Sequence, residues 1–207
     1  MQSLSLSRRL VLAATLAAAF APAAQAAPTI NAPAPPFSQT DQNGQTRSLS
    51  DFAGKTVVLE WTSDACPYSH KHYDSGNMQR LQAKARRDGV VWLTVITDAP
   101  GTSGYMNPEQ VRAWMKKVRS HATAVLLDPD ARVARAYEAK TTPHMFIIDR
   151  TGKLVYMGGI DDRPYTDPAS LKGAKNYVAL ALADLKANRP IAQAVTRPYG
   201  CSVKYAP

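Results

Sequence analysis

Three runs of nearly continuous apolar, β-branched character, Thr56–Thr62, Val90–Thr97 and Thr123–Asp128, constrain the fold more than any other feature of the chain. Each is separated from the next by a stretch that reads as helix. Strands that are apolar on both faces belong in the middle of a sheet. Strands that alternate with helices are joined by right-handed crossovers and run parallel. The intervening helices are expected over Pro67–Arg87, from the Asn107 cap and Pro108 to Ser120, and over Pro129–Glu138.

Two hairpins frame this core. Phe37–Leu49 carries Asn43-Gly44, a pair that tolerates the positive φ of a tight turn. Met145–Asp149 and Lys153–Met157 flank Arg150-Thr151-Gly152 and should add antiparallel strands at the edge. A polar loop over 160–170, a last helix over Leu171–Ala187 and a tail over 188–207 complete the chain. The expected class is α/β: a central mixed β-sheet flanked by helices, with an N-terminal β-hairpin, in one domain over 37–187.

The N-terminus reads as an address. Arg8 and Arg9 precede the apolar run Leu10–Phe20, and Ala24-Gln25-Ala26 is a small-x-small cleavage pattern. Residues 1–26 are therefore expected to be a secretory signal peptide. The apolar run is too short to span a bilayer, and Ser7-Arg8-Arg9-Leu10-Val11-Leu12 resembles a twin-arginine signal. Residues 27–36, rich in Pro and Ala, read as a linker. An exported, periplasmic protein is expected, with no stable membrane insertion after cleavage. The chain has 25 Lys+Arg against 16 Asp+Glu, but the excess is scattered over Arg86-Arg87, Lys116-Lys117, Arg132, Arg135, Arg189 and Arg197. Scattered charge is a solvated surface, so nucleic acid is not an expected partner.

Only two cysteines are present, Cys66 and Cys201. Cys66 directly follows a buried strand and begins a helix. There the unpaired N–H groups and partial positive charge favour thiolate, the nucleophilic form. Pro67 suits the first helical position. His70, Lys71 and His72 follow within two turns and add positive potential if they face the sulfur. The competing reading is a buried structural cysteine.

At this point the chain resembles a family. Phe37, Asp41, Gly44, Leu49 and Phe52-Ala-Gly-Lys55, then Val57-Val-Leu-Glu-Trp-Thr62 and Cys66-Pro67, resemble the redoxin branch of the thioredoxin superfamily. That branch includes the alkyl hydroperoxide reductase/thiol-specific antioxidant, peroxiredoxin-like, proteins. Thr142-Pro143 followed by His-Met-Phe146-Ile-Ile-Asp149 resembles the family's threonine–cis-proline and the strand after it. The resemblance covers about residues 35–187 and implies a thioredoxin-like fold and thiol chemistry at Cys66. It also implies that Thr142 lies against Cys66 if the Pro143 bond is cis. It requires no cofactor or metal.

Two departures bear on the reaction. Ser69 stands where a thioredoxin-type Cys-x-x-Cys has its second cysteine, so a local dithiol is excluded. The peroxiredoxin threonine is expected three residues before the cysteine, whereas Thr62 is four before and Ser63 holds the third position; where an arginine is expected stands Pro143. The candidate catalytic residues are Cys66, Cys201 and Thr62. The candidate substrate-contacting residues are Trp61, Pro67, Thr142 and Pro143.

Gly200 lets the chain turn beside Cys201, in a tail expected to be mobile. Cys201 could resolve Cys66 by forming a Cys66–Cys201 disulfide, form a static structural bond with it, or stand free. Three functions remain open: thiol–disulfide exchange with a protein or small-molecule thiol or disulfide, hydroperoxide reduction with an external reductant, and a copper-binding module using Cys66, His70 and His72. His70 and His72, two residues apart, do not share a helix face. His121 reads as a surface histidine, and so does His144 unless it borders the site.

Overall fold

The computed structural model describes residues 27–205; the signal-peptide and twin-arginine expectations for residues 1–26 lie outside the described residues. The first hairpin forms as read, from β1 (Ser38–Thr40) and β2 (Thr46–Ser48), with Gly44 at φ 76° in its turn. The apolar runs become β3 (Val57–Trp61), β4 (Val91–Ile96) and β5 (Ala124–Leu127), paired parallel in the order β3-β4-β5. Beyond a two-residue strand β6 (Thr141–Thr142), β7 (His144–Ile148) pairs antiparallel with β3, and β8 (Leu154–Gly158) with β7. The central sheet is thus mixed, in the order β5-β4-β3-β7-β8. β7 is an inner strand and only β8 is an edge, which corrects the expectation that both add at the edge. All five residues of β7 are buried, and they demand cover on both sides.

The helices depart further from expectation. Pro67–Arg87 is two helices, α1 (Pro67–Asp74) and α2 (Asn77–Arg87). Between them Gly76 takes φ 73°, a left-handed conformation that ends a helix. α3 (Pro108–Lys117) starts as expected, with Asn107 accepting from the Gln110 N–H. α4 (Arg132–Ala136) is a short piece of the expected segment. α5 (Tyr177–Lys186) begins six residues later than Leu171, because the Asn176 side chain caps it by accepting from Ala179 N–H.

Alternation along β3 divides the core. Val57, Leu59 and Trp61 pack with α4, Phe37 and Phe52 on one face. Val58 faces residues of α1, α2, α3 and α5 on the other. Glu60 points to that second face and is fully buried. Its carboxylate accepts from Tyr73 Oη, Trp92 Nε1, Gln82 Nε2 and Thr94 Oγ1 at 2.7–3.2 Å. Burial pushes Glu60 up to about 7, and those four donors hold it back from going further.

The tail is not free. Met157 N–H donates to Ala194 O, and β9 (Cys201–Ser202) pairs antiparallel with β6. Val203 is buried in the first core face. The expectation of a mobile tail is corrected by these contacts. Residues 31–34 also run along β8, with Asn31 and Ala34 N–H donating to Leu154 O and Gly152 O.

Candidate active site

Cys66 is the residue that caps α1, with extended φ and ψ, and Pro67 takes the first helical position and is exposed. The buried strand β3 ends five residues earlier and delivers the cysteine to the end of the sheet. Across from it, β6 leads into a cis Thr142–Pro143 bond, with both residues buried. The Cys66 sulfur lies 3.0 Å from the Thr142 carbonyl oxygen and 2.7 Å from the Cys201 sulfur. Both cysteines are free thiols. An S–S bond of about 2.05 Å therefore needs less than an ångström of closure.

The two sulfurs differ in environment. Burial pushes the Cys66 thiol up, but the Cys201 S–H, the Thr142 side chain and the Ser69 backbone N–H outweigh burial and leave Cys66 below the ordinary thiol value. Cys201 moves the other way, raised by burial and by sharing its proton with Cys66. Of the two, Cys66 gives up its proton first and Cys201 keeps its own. Cys66 is 1% exposed, whereas Cys201 is partly exposed.

β9 brings Cys201 here. Thr142 is paired with Cys201 and Thr141 with Ser202. Gly200 has φ 139°, and a Cβ there would overlap the Thr142 carbonyl. Tyr199 holds the segment from behind. Its hydroxyl makes a short hydrogen bond to Asp161 and receives one from Lys71 Nζ at 3.0 Å. His72 Nε2 is 3.2 Å from the same hydroxyl, while Asn77 lies on His72 Nδ1 at 2.8 Å. Lys71, His72 and Asp161 are all buried. Lys71 and His72 thus face Asp161 and Tyr199, so the condition on which they were to add positive potential at Cys66, that they face its sulfur, is not met. A cleft of about 560 Å³ opens beside Cys201, lined by Thr141, Tyr177, Arg197, Tyr199 and Gly200 among others.

The other sequence candidates fall elsewhere. Trp61 is fully buried, donates to Thr97 Oγ1 and packs on Tyr137 and Phe146, so it is a core residue and not a substrate contact. Thr62 Oγ1 has no hydrogen-bond partner among the described residues. It lines a cavity of about 20 Å³ with Ser69 and His70, and no hydrogen bond joins it to Cys66. His70 meets Asp64 O and Asp74. No cluster of three His, Cys, Asp or Glu side chains that could hold a metal ion occurs among the described residues. His144 is buried beside Pro143, its ring against Phe146 and its Nδ1 accepting from Lys140 N–H. The sequence reading missed Asp161 and Tyr199 as parts of the site. Only Gly200, next to a cysteine, hinted at the close approach.

His72 and His144 also set an acid limit on stability. Burial, helped by the charges of Lys71 and Lys140 respectively, pushes each down to about 3. A depressed base lends stability above its unfolded value of about 6.5 and loses it as pH falls toward the folded value. Glu60, raised to about 7, acts oppositely and loses stability as pH rises from its unfolded value. Between pH 6 and pH 5 the net loss expected in denaturant unfolding is about 1 kcal/mol, and Glu60→Gln should steepen it to about 2 kcal/mol. An equal slope in both proteins would refute this assignment of charges.

Comparisons with known proteins bear on the family and the fold. The model of the AhpC/TSA family matches residues 30–157. The thiol-disulfide oxidoreductase ResA of Bacillus subtilis is 28% identical over 122 residues, covering 59% of this chain and 63% of that protein. The match thus spans less than two thirds of that relative. The crystal structure of an uncharacterised conserved protein from Geobacillus kaustophilus superposes with a TM-score of 0.75 at 25% identity, over 86% of this chain and 93% of that one. The thioredoxin domain of a thiol-disulfide oxidoreductase from Bacteroides vulgatus superposes with a TM-score of 0.51 at 22% identity, over 62% and 87% of the two chains. The fold is thioredoxin-like.

Proposed function

The chain belongs to the AhpC/TSA family, and from that premise we propose that it is an exported thiol–disulfide oxidoreductase whose dithiol is formed by Cys66 and Cys201. The observation that carries this reading is the pair of sulfurs 2.7 Å apart, at a helix start, in a chain whose Cys66-Pro-Tyr-Ser69 lacks the nearby second cysteine. Cys201 supplies from the tail what Ser69 does not. Cys66 is the sulfur whose thiolate is favoured, and Cys201 is its partner in the disulfide. The substrate is a protein or small-molecule thiol or disulfide, and an external thiol restores the pair. The relative ResA, named a thiol-disulfide oxidoreductase, supports the reaction class. Export rests on the sequence of residues 1–26. No described helix is long and apolar enough to cross a membrane.

Thiol labelling read by mass spectrometry tests the reading. The reduced protein is exposed to a stoichiometric small disulfide and, separately, to stoichiometric hydrogen peroxide. Rapid loss of both thiols to one Cys66–Cys201 disulfide with the small disulfide is expected, and either Cys66→Ser or Cys201→Ser should abolish turnover. Faster closure with peroxide than with the disulfide would make hydroperoxide reduction the better reading. Two thiols inert to both reagents would end the redox reading altogether.

A further inference from the structure

We propose that Cys201, and not Cys66, is the sulfur that meets the external thiol or disulfide, with Cys66 acting only through Cys201. This rests on the dithiol reading above and specifies its order of attack. In thioredoxin-like sites described by their Cys-x-x-Cys, the cysteine at the helix start is the natural candidate for attack; here its surroundings exclude that.

Three observations carry the assignment. Cys66 is 1% exposed, while Cys201 is partly exposed and is followed by exposed Ser202. The backbone edge beside Cys66, Thr141–Thr142, is already covered by Cys201–Ser202, so an incoming peptide finds no strand edge there to pair with. Thiol–disulfide exchange is also an in-line displacement, in which the attacker approaches opposite the leaving sulfur. Cys66, at 1% exposure, leaves such an attacker no open approach. Cys201, partly exposed, can be reached from solvent. The positive charge of exposed Lys204 acts on Cys201, and it favours an anionic thiolate arriving there.

The electrons balance as follows. An external thiolate attacks Cys201 Sγ, the Cys201–Cys66 bond breaks, and its electron pair leaves on Cys66 as thiolate. A second external thiol attacks the external sulfur of that mixed disulfide. The external disulfide departs, and Cys201 takes the proton of the second thiol. The enzyme ends as Cys66 thiolate and Cys201 thiol, with two external thiols oxidised to one disulfide. The reverse route oxidises the enzyme through the same mixed disulfide on Cys201. Stabilisation of Cys66 as thiolate makes it the better leaving group, which is what this order requires.

The test uses the full oxidised protein and one small anionic monothiol, 2-mercaptoethanesulfonate, at limiting concentration. The reaction is quenched in acid within the first moments, remaining thiols are alkylated, and the adducts are mapped by mass spectrometry. The mixed disulfide is expected on Cys201 with the alkyl group on Cys66, in at least about tenfold excess over the opposite arrangement. Adducts mainly on Cys66, or equal amounts on both, overturn the order of attack and leave the dithiol reading standing. Failure of the oxidised protein to contain a Cys66–Cys201 disulfide at all removes both.

Discussion

Replacing Gly200 with valine is expected to release Cys201 from Cys66 and to turn Cys66 from a shielded sulfur into an accessible one. The reason is local and steric. Gly200 sits at φ 139°, and any Cβ there would overlap the Thr142 carbonyl oxygen, the same group that faces the Cys66 sulfur. A side chain in such a backbone region costs about 1–2 kcal/mol before any overlap is counted. β6 and β9 share only two residue pairs, so they have little with which to oppose that cost. The tail should separate from Thr141–Thr142 at that point, while Met157–Ala194 and the core of the domain hold.

Three measurements follow from that displacement. Disulfide closure after a small oxidising disulfide should fall by at least about tenfold, since each 1.4 kcal/mol is a factor of ten. Alkylation of Cys66 should accelerate by a similar factor. The mixed disulfide with 2-mercaptoethanesulfonate should move from Cys201 to Cys66. Cys201→Ser is the necessary comparison, because it removes the sulfur but leaves the tail docked, so Cys66 should stay shielded in it. Far-UV circular dichroism like that of the parent protein excludes general unfolding. A Gly200→Val protein that closes its disulfide at the parent rate would show that β9 does not hold Cys201 in place.

What could be read from the sequence follows from how local each cause is. The strands β3, β4 and β5 were legible because their apolar, β-branched runs are themselves the reason they are buried. Cys66 was legible because a helix start acts on its own first residue. The break at Gly76 had a local signal, a glycine followed by Asn77, that the continuous helical reading passed over. The start of α5 had one too, the Asn176 cap. The tail was different. Nothing in Tyr199-Gly200-Cys201-Ser202 announces a strand, since its two residues are held by β6 and by the groups behind Tyr199. Lys71 and His72 read as charge that adds positive potential at Cys66 if it faces the sulfur. Their partners Asp161 and Tyr199 lie far along the chain, and only the folded arrangement joins them. Trp61 was misplaced for the opposite reason: it stands in the motif that leads to Cys66, while its own side chain is packed in the core.

That buried set behind Tyr199 supports the second large expected effect. Asp161→Asn should destabilise the protein by about 3–5 kcal/mol at neutral pH, the scale for removing one partner of a buried ion pair. The side chain of Lys71 is fully buried with its Nζ 3.8 Å from Asp161, its nearest carboxylate partner among the described residues, with the charge of Asp162 acting more weakly. Asparagine keeps an acceptor for the Tyr199 hydroxyl and for the Arg163 N–H, so the change isolates the charge. Two further results identify the cause. Lys71→Met in the Asp161→Asn background should recover much of the loss, because no unpaired cation then remains. The deficit of the single variant should also shrink as pH rises toward 10. Burial lowers the Lys71 ammonium below its ordinary value and Asp161 opposes that shift, so the variant lowers it further. A depressed base loses stability as pH falls below its unfolded value near 10.5, and the loss is absent above it. Chemical denaturation of the three proteins at pH 7 and pH 10 measures all of this. Because Tyr199 lies two residues before Cys201, the single variant should also close its disulfide more slowly than the double. An Asp161→Asn protein as stable as the parent at pH 7 would show that Lys71 reaches solvent through another path and that the clamp behind the tail is not electrostatic.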